Sequence, residues 1–143
     1  MKISTKLVIA AFGFIGCLAM VPVHATAADG WSSASGAAAP DGFESAMPLL
    51  KGADAAAGEK TAKACVMCHS VDKGGPKKMG PNLFGIMGKA SAIKGMKGKW
   101  TDEAMDSFLF SPKEAAAGNK MMFSGIKSAQ DRANVVAWLH TKK

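Results

Sequence analysis

The sequence predicts an all-α domain with few helices joined by long loops, and three observations carry that expectation. Strand formers are scarce: aromatic residues make up 7% of the 143 residues, Tyr is absent, and Ala, Lys and Met abound, which argues against a sandwich or barrel. Apolar residues recur at i, i+3, i+4 in two short stretches, each opened by a residue that caps helices. The 16 glycines and the dense Gly, Pro and Lys content between residues 73 and 99 leave little material for a protein-only core. The domain therefore needs a staple, which in a small fold means a disulfide, a metal or a cofactor.

Taken in chain order, Lys2 and Lys6 precede an apolar run from Leu7 to Val23, followed by small residues at Ala25, Thr26 and Ala27. This is the three-part pattern of an export signal, with cleavage expected after Ala27, where Ala25 and Ala27 fill the two small positions. The alternative is a retained membrane anchor, for which a run of about 17 apolar residues is at the short limit. Removal of residues 1–27 leaves about 115 residues, one domain of ordinary size. Residues 28–53 are rich in Ala, Gly, Ser and Pro and read as a linker or loosely packed extension, with an apolar group at Met47 to Leu50 that could fold back. The folded domain is assigned to residues 54–143.

Within it, Asp54 reads as the N-cap of a helix running to about Val66, which delivers Cys65 and Cys68 from its end. Lys73 to Lys99 is mainly loop. Thr101 caps a second helix, with Asp102 and Glu103 placed well for the helix dipole and Met105, Phe108 and Leu109 on its buried face; it ends before Pro112. After another loop, Ser128 and Asp131 form a capping box for a final helix whose apolar face holds Val135, Trp138 and Leu139. That helix is expected to cross the first one near Gly58, where a missing side chain admits Trp138. His140 reads as a solvent-exposed helix residue.

Charge is unevenly distributed. Of the formal net charge of +7, all the surplus falls after residue 53, which suits acidic protein partners or anionic surfaces. Export and the lack of an Arg-rich or RNA-binding motif argue against nucleic acid.

Past the export segment the cysteines are Cys65 and Cys68, with two residues between them and His69 directly following. A thioredoxin-like redox pair needs βαβ patterning, which is missing, and a zinc site needs a fourth ligand. Cys-x-x-Cys-His is the signature of covalent haem attachment: two thiols about one helical turn apart add to the two porphyrin vinyl groups, and the adjacent His lies under the ring as proximal iron ligand. The sixth iron position then decides the chemistry, since an open one binds gases or peroxide and one closed by Met passes electrons. The candidates are Met47, Met67, Met79, Met87, Met96, Met105, Met121 and Met122. Met121 and Met122 lie in a loop between helices, far enough along the chain to reach the opposite face.

Three blocks, Cys65 to Gly75, Gly80-Pro-Asn-Leu-Phe-Gly85 and Gly118-Asn-Lys-Met-Met-Phe-Ser-Gly-Ile-Lys127, resemble class I c-type cytochromes, among them mitochondrial cytochrome c and its bacterial relatives. The resemblance covers roughly Asp54 to Leu139. It implies the cytochrome c fold, with N- and C-terminal helices crossing, a short helix between them and one haem c enclosed by loops. It implies thioether attachment through Cys65 and Cys68, iron ligation by His69 and Met121, and a hydrogen bond from His69 to the Pro81 carbonyl. Trp100 matches an indole that bonds a haem propionate, Lys89 stands where the family usually has Arg, Asn119 stands for a Thr in the network around the distal Met, and Phe123 matches the aromatic beside the exposed haem edge. Lys78, Lys113, Lys120 and Lys127 look like the family's docking lysines. The departures are a shorter loop between Lys89 and Lys99, Phe108 in place of a Tyr whose hydroxyl touches the distal Met, and Thr61 or Ala62 where an aromatic normally packs.

The function implied is that of a soluble, monomeric, periplasmic one-electron carrier, not an enzyme, shuttling between acidic-surfaced partners such as a quinol-cytochrome c reductase, an oxidase, a reaction centre or a periplasmic dehydrogenase. The alternatives are a haem enzyme or gas-binding cytochrome with a labile Met121, and a dedicated subunit of a periplasmic dehydrogenase docked through residues 28–53.

Overall fold

The computed structural model describes residues 38–143. The expected export signal and the first part of the extension lie outside the described residues. Ahead of the first helix a 3-10 turn spans Met47–Gly52; the α-helices are α1 (Ala55–Thr61), α2 (Lys63–Val66), α3 (Asp102–Phe110), α4 (Pro112–Ala115) and α5 (Ala129–Thr141). Among the described residues the only β-pairing is an isolated antiparallel bridge between Ala90 and Lys99, and no helix is long and apolar enough to cross a membrane.

The three predicted caps are made. Asp54 accepts the Ala56 amide at 2.8 Å, Thr101 Oγ1 the Ala104 amide at 3.2 Å, and Ser128 Oγ the Asp131 amide at 3.2 Å, each satisfying a donor that the first helical turn leaves without a partner. The first helix is interrupted where the sequence predicts continuity: Ala62, with φ −73° and ψ 0°, separates α1 from α2. The short α4 was not anticipated in the second loop; Pro112 at its first turn fits, since that position needs no amide hydrogen.

Helix α1 lies against α5, and the contact depends on Gly58. A Cβ there would sit 2.0 Å from the Asn134 carbonyl oxygen and 3.0 Å from Trp138 Cβ. The expected approach near Trp138 is present, and the closest group is the backbone one turn earlier. Asn134 adds a second tie, its Oδ1 accepting the Asp54 amide at 2.9 Å. Helix α3 is buried from Ala104 to Phe110, where it packs on both α4 and α5.

Residues 38–53 differ most from the linker or loose extension that their composition suggests. Phe43 and Ala46 are buried; Phe43 meets Phe110 edge-to-face at 5.3 Å between centroids, and Ala46 packs with Ala129 and Ala133 of α5. The polar anchor is a fully buried ion pair in which Arg132 Nε donates to Asp106 Oδ1 at 2.6 Å, both side chains 0% exposed. Asp106 Oδ2 also accepts the Ala46 amide at 2.8 Å, while Arg132 Nη2 donates to the Glu44 carbonyl. His140 is exposed as expected but is not free: its Nε2 lies 2.6 Å from Asp102 Oδ1, joining the end of α5 to the start of α3.

Because the two backbones touch at Gly58, Gly58→Ala is expected to destabilise the fold by about 1–3 kcal/mol through overpacking, read as a lower midpoint in urea unfolding followed by far-UV circular dichroism.

Candidate functional site

The end of α2 presents Cys65, and the turn after it presents Cys68 and His69. The His69 amide donates to the Cys65 carbonyl at 2.9 Å and the Cys68 amide to the same oxygen at 3.1 Å, so the last helical turn fixes the spacing of the three side chains. No disulfide joins the two cysteines, and burial pushes the Cys65 thiol up before any group is attached to it. Among the described residues no three His, Cys, Asp or Glu side chains form a metal-holding group.

His69 Nδ1 lies 2.6 Å from the Pro81 carbonyl oxygen. A carbonyl only accepts, so Nδ1 carries the hydrogen and the lone pair of the neutral ring is on Nε2, which has no hydrogen-bond partner among the described residues. The ring rests on Gly80, where a Cβ would lie 2.2 Å from His69 Cε1. Two backbone bonds, Gly80 to the Cys68 carbonyl and Leu83 to the Ser70 carbonyl, both 2.8 Å, hold this loop behind the histidine. Asn82 closes it by donating to the Asp72 carbonyl at 2.8 Å.

In the loop after α4, Asn119 donates to the Pro112 and Ala116 carbonyls at 2.5 and 2.8 Å and accepts the Met121 amide at 2.9 Å. Met121 is half-buried and packs against the main core, whereas Met122 is 96% exposed. Lys113, Asn119, Lys120, Met121, Met122 and Phe123 line one open depression of about 390 Å³. Trp100 is buried edge-to-face against Phe108, with centroids 5.0 Å apart. Lys89 is exposed and folds back over its own loop, donating to the Phe84 carbonyl at 3.0 Å.

The four lysines singled out in the sequence divide into two pairs. Lys78 donates to the Val66 carbonyl at 2.7 Å. Lys127 donates to the Phe110 carbonyl at 3.0 Å and lies 3.8 Å from the centroid of that ring. Lys113 and Lys120 are exposed and make no such contact among the described residues. The residues that sequence reasoning missed are Asp106, Arg132 and Asn134. One signal was available: Arg132 shares the i, i+3, i+4, i+7 face of Val135, Val136 and Leu139.

The donor set fits a haem attached through Cys65 and Cys68: two thiols presented by one helical turn, an imidazole oriented with Nε2 unpaired among the described residues, and a half-buried thioether on a strap of its own. Gly80→Ala would push the His69 ring aside, and the expected outcome is a sharp fall in the yield of haem-loaded protein with a low-spin visible spectrum, measured on purified protein as haem per chain.

Residues 55–143 match the family model for cytochrome c. A cytochrome c homolog of Rickettsia bellii is 43% identical over 103 residues, 65% of this chain and 60% of the relative. A cytochrome c homolog of Bradyrhizobium diazoefficiens is 37% identical over 117 residues, 74% of this chain and 64% of the relative. Cytochrome c of Gossypium barbadense is 40% identical over 108 residues, 68% of this chain and 94% of the relative. This chain thus spans about three fifths of the length of the Rickettsia bellii relative and nearly all of the plant protein. The all-α architecture, the Cys65-x-x-Cys68-His69 turn and the family match agree: the chain belongs to the cytochrome c family and carries a covalently attached haem c on Cys65 and Cys68.

Proposed function

We propose that the chain is an exported one-electron carrier of the periplasm, not an enzyme, with His69 and Met121 as the axial ligands of its haem. The observation that carries this reading is the distal strap: Met121 is half-buried with its amide tied to Asn119, and its neighbour Met122 is exposed. When bound, the haem supplies a ferric–ferrous couple that takes up and releases one electron.

The chain's own residues set the conditions for that exchange. Pro81 holds the His69 ring in one orientation and one tautomer, the usual role of a carbonyl behind a metal-ligating histidine. A neutral Met121 thioether favours the ferrous state and raises the potential. By closing the sixth position it also denies the site to small ligands. Trp100, buried beside Phe108, stands ready to bond a propionate. Phe123 borders the depression that a partner would face.

Docking is assigned chiefly to Lys113 and Lys120, which are exposed, make no hydrogen bond or ion pair among the described residues, and line the same depression as Met121 and Phe123. Lys78 and Lys127, held by backbone carbonyls, add fixed positive charge to the same reading. Acidic-surfaced respiratory or dehydrogenase proteins are the partners that this charge suits. Export rests on Lys2, Lys6 and the Leu7 to Val23 run.

Visible and near-infrared spectra of the purified oxidised and reduced protein test the ligand set. A far-red sulfur-to-ferric-iron band, with no response to azide or carbon monoxide, is the expected result; its absence together with prompt carbon monoxide binding would move the chain to the enzyme or gas-binding reading. For docking, Lys120→Glu is expected to lower the low-salt rate constant with an acidic partner by about tenfold, with the difference vanishing at high ionic strength. Stopped-flow measurement across a salt series would show it, and a rate independent of both salt and charge would remove the lysine argument.

A further inference from the structure

The strap from Asn119 to Lys127 is secured at its two ends. At its start Asn119 is bonded to α4 through the Pro112 carbonyl. At its far end the Ile126 amide donates to the Leu109 carbonyl at 2.7 Å, and Arg132 Nη1 donates to the carbonyls of Ile126 and Lys127 at 3.0 and 2.8 Å. Between these points, residues 122–125 make no hydrogen bonds with other described residues. Met121 is tied to the first end by its own amide bond to Asn119 and packs on the core, and the hold of the far end reaches it through residues 122–125, with Gly125 close against the Phe110 carbonyl.

The guanidinium that grips the far end is itself gripped from outside the strap. Its Nε is bonded to Asp106, its Nη2 to the Glu44 carbonyl, and its carbon lies 5.5 Å from the Phe43 ring centroid and 5.1 Å from that of Phe110. Asp106 is completed from the same side by the Ala46 amide at 2.8 Å and the Ser45 hydroxyl at 3.4 Å. In a site with no solvent access these bonds are strong and mutually dependent, because a donor released by one acceptor has no water to turn to.

We propose that residues 43–46 are a positioning element for the distal strap: they complete the Asp106–Arg132 pair from the N-terminal side, and so set how readily Met121 leaves its place. This rests on the reading of Met121 as the iron's distal ligand. Its content is new to that reading, because it makes a segment lying before the family-matched region part of what holds the ligand. Withdrawal of Glu44 and Ala46 leaves Arg132 and Asp106 with buried groups to satisfy; the guanidinium then shifts from the Ile126 and Lys127 carbonyls, and the strap loosens at that end.

The test uses the full-length haem-loaded ferric protein, with Phe43→Ala and Asp106→Asn as the hub variants. Asp54→Ala, which removes the α1 cap, is the control for general loss of stability. Two quantities are read: amide hydrogen exchange at Ile126, and the azide concentration that abolishes the sulfur-to-iron band. Loss of about one hydrogen bond's net stabilisation corresponds to about fivefold faster exchange at Ile126, and a fivefold lower azide midpoint is expected alongside it for both hub variants. Asp54→Ala is expected to lower the melting temperature and change neither. If Asp106→Asn does not fold, Phe43→Ala, which leaves every hydrogen-bonding group in place, decides the matter. The proposal is overturned if Phe43→Ala lowers the melting temperature but leaves Ile126 exchange unchanged. Should the unsubstituted protein lack the sulfur band, the ligand reading fails by itself; Ile126 exchange then still supports the coupling if faster and overturns it if unchanged.

Discussion

A guanidinium taken wholly out of water is tolerated only when an acceptor meets its donors, and Arg132 satisfies that demand by drawing four pieces of chain together. Its partners are Asp106 on α3, the Glu44 carbonyl before the first helix, and the Ile126 and Lys127 carbonyls at the end of the distal strap. Leaving either charge without its partner would cost about 3–5 kcal/mol, a large share of a small domain's stability. The pair is not evidence of exceptional stability, since an apolar replacement of similar volume is often as good. What it confers is a fixed mutual position for segments that no helix joins. The rings of Phe43 and Phe110, in contact with each other, both lie against the guanidinium and help keep solvent away from it.

The two sides of the site are built on different physical terms. On the thiol side everything is local: Cys65, Cys68 and His69 follow from one helical turn, and the Gly80–Pro81 loop is bonded directly back onto that turn. Local closure costs little chain entropy, so this side is rigid with few contacts. The Met121 segment is a strap between α4 and α5, and its order comes from Asn119 at one end and the buried pair at the other. Under the proposed ligand set, this division suits electron exchange: His69 would be held still between oxidation states, and a neutral Met121 would keep external ligands out without adding charge.

Much of this was legible in the sequence because its causes are short-range. Asp54, Thr101 and Ser128 cap their helices as read, since a cap needs only the next two or three amides. The Cys65-x-x-Cys68-His69 turn and the loop character of 73–99 are local in the same sense, and the approach of α1 to α5 at Gly58 was readable because one missing side chain in a helix invites a neighbour. Composition misled at residues 38–53. Ala, Gly and Ser suggest a linker when averaged over a window, but one buried ring at Phe43 and two backbone groups at Glu44 and Ala46 suffice to pin the segment against the core. Likewise Lys89, Lys78 and Lys127 look free in sequence and are held by the carbonyls of Phe84, Val66 and Phe110.

The sequence by itself determined the helical class, the caps and the thiol pair with its histidine, because each depends on residues within a turn or two of one another, and the order and spacing of three such local blocks pointed to the family. Only the tertiary structure decided that Arg132 and Asp106 are buried partners, that His140 reaches Asp102, and that of two adjacent methionines Met121 is turned toward the core and Met122 away from it. Those outcomes depend on segments up to 88 positions apart, as between Glu44 and Arg132. Whether a charge is burdened or satisfied there depends on which carbonyls and carboxylates the completed fold brings within reach, and no local pattern encodes that.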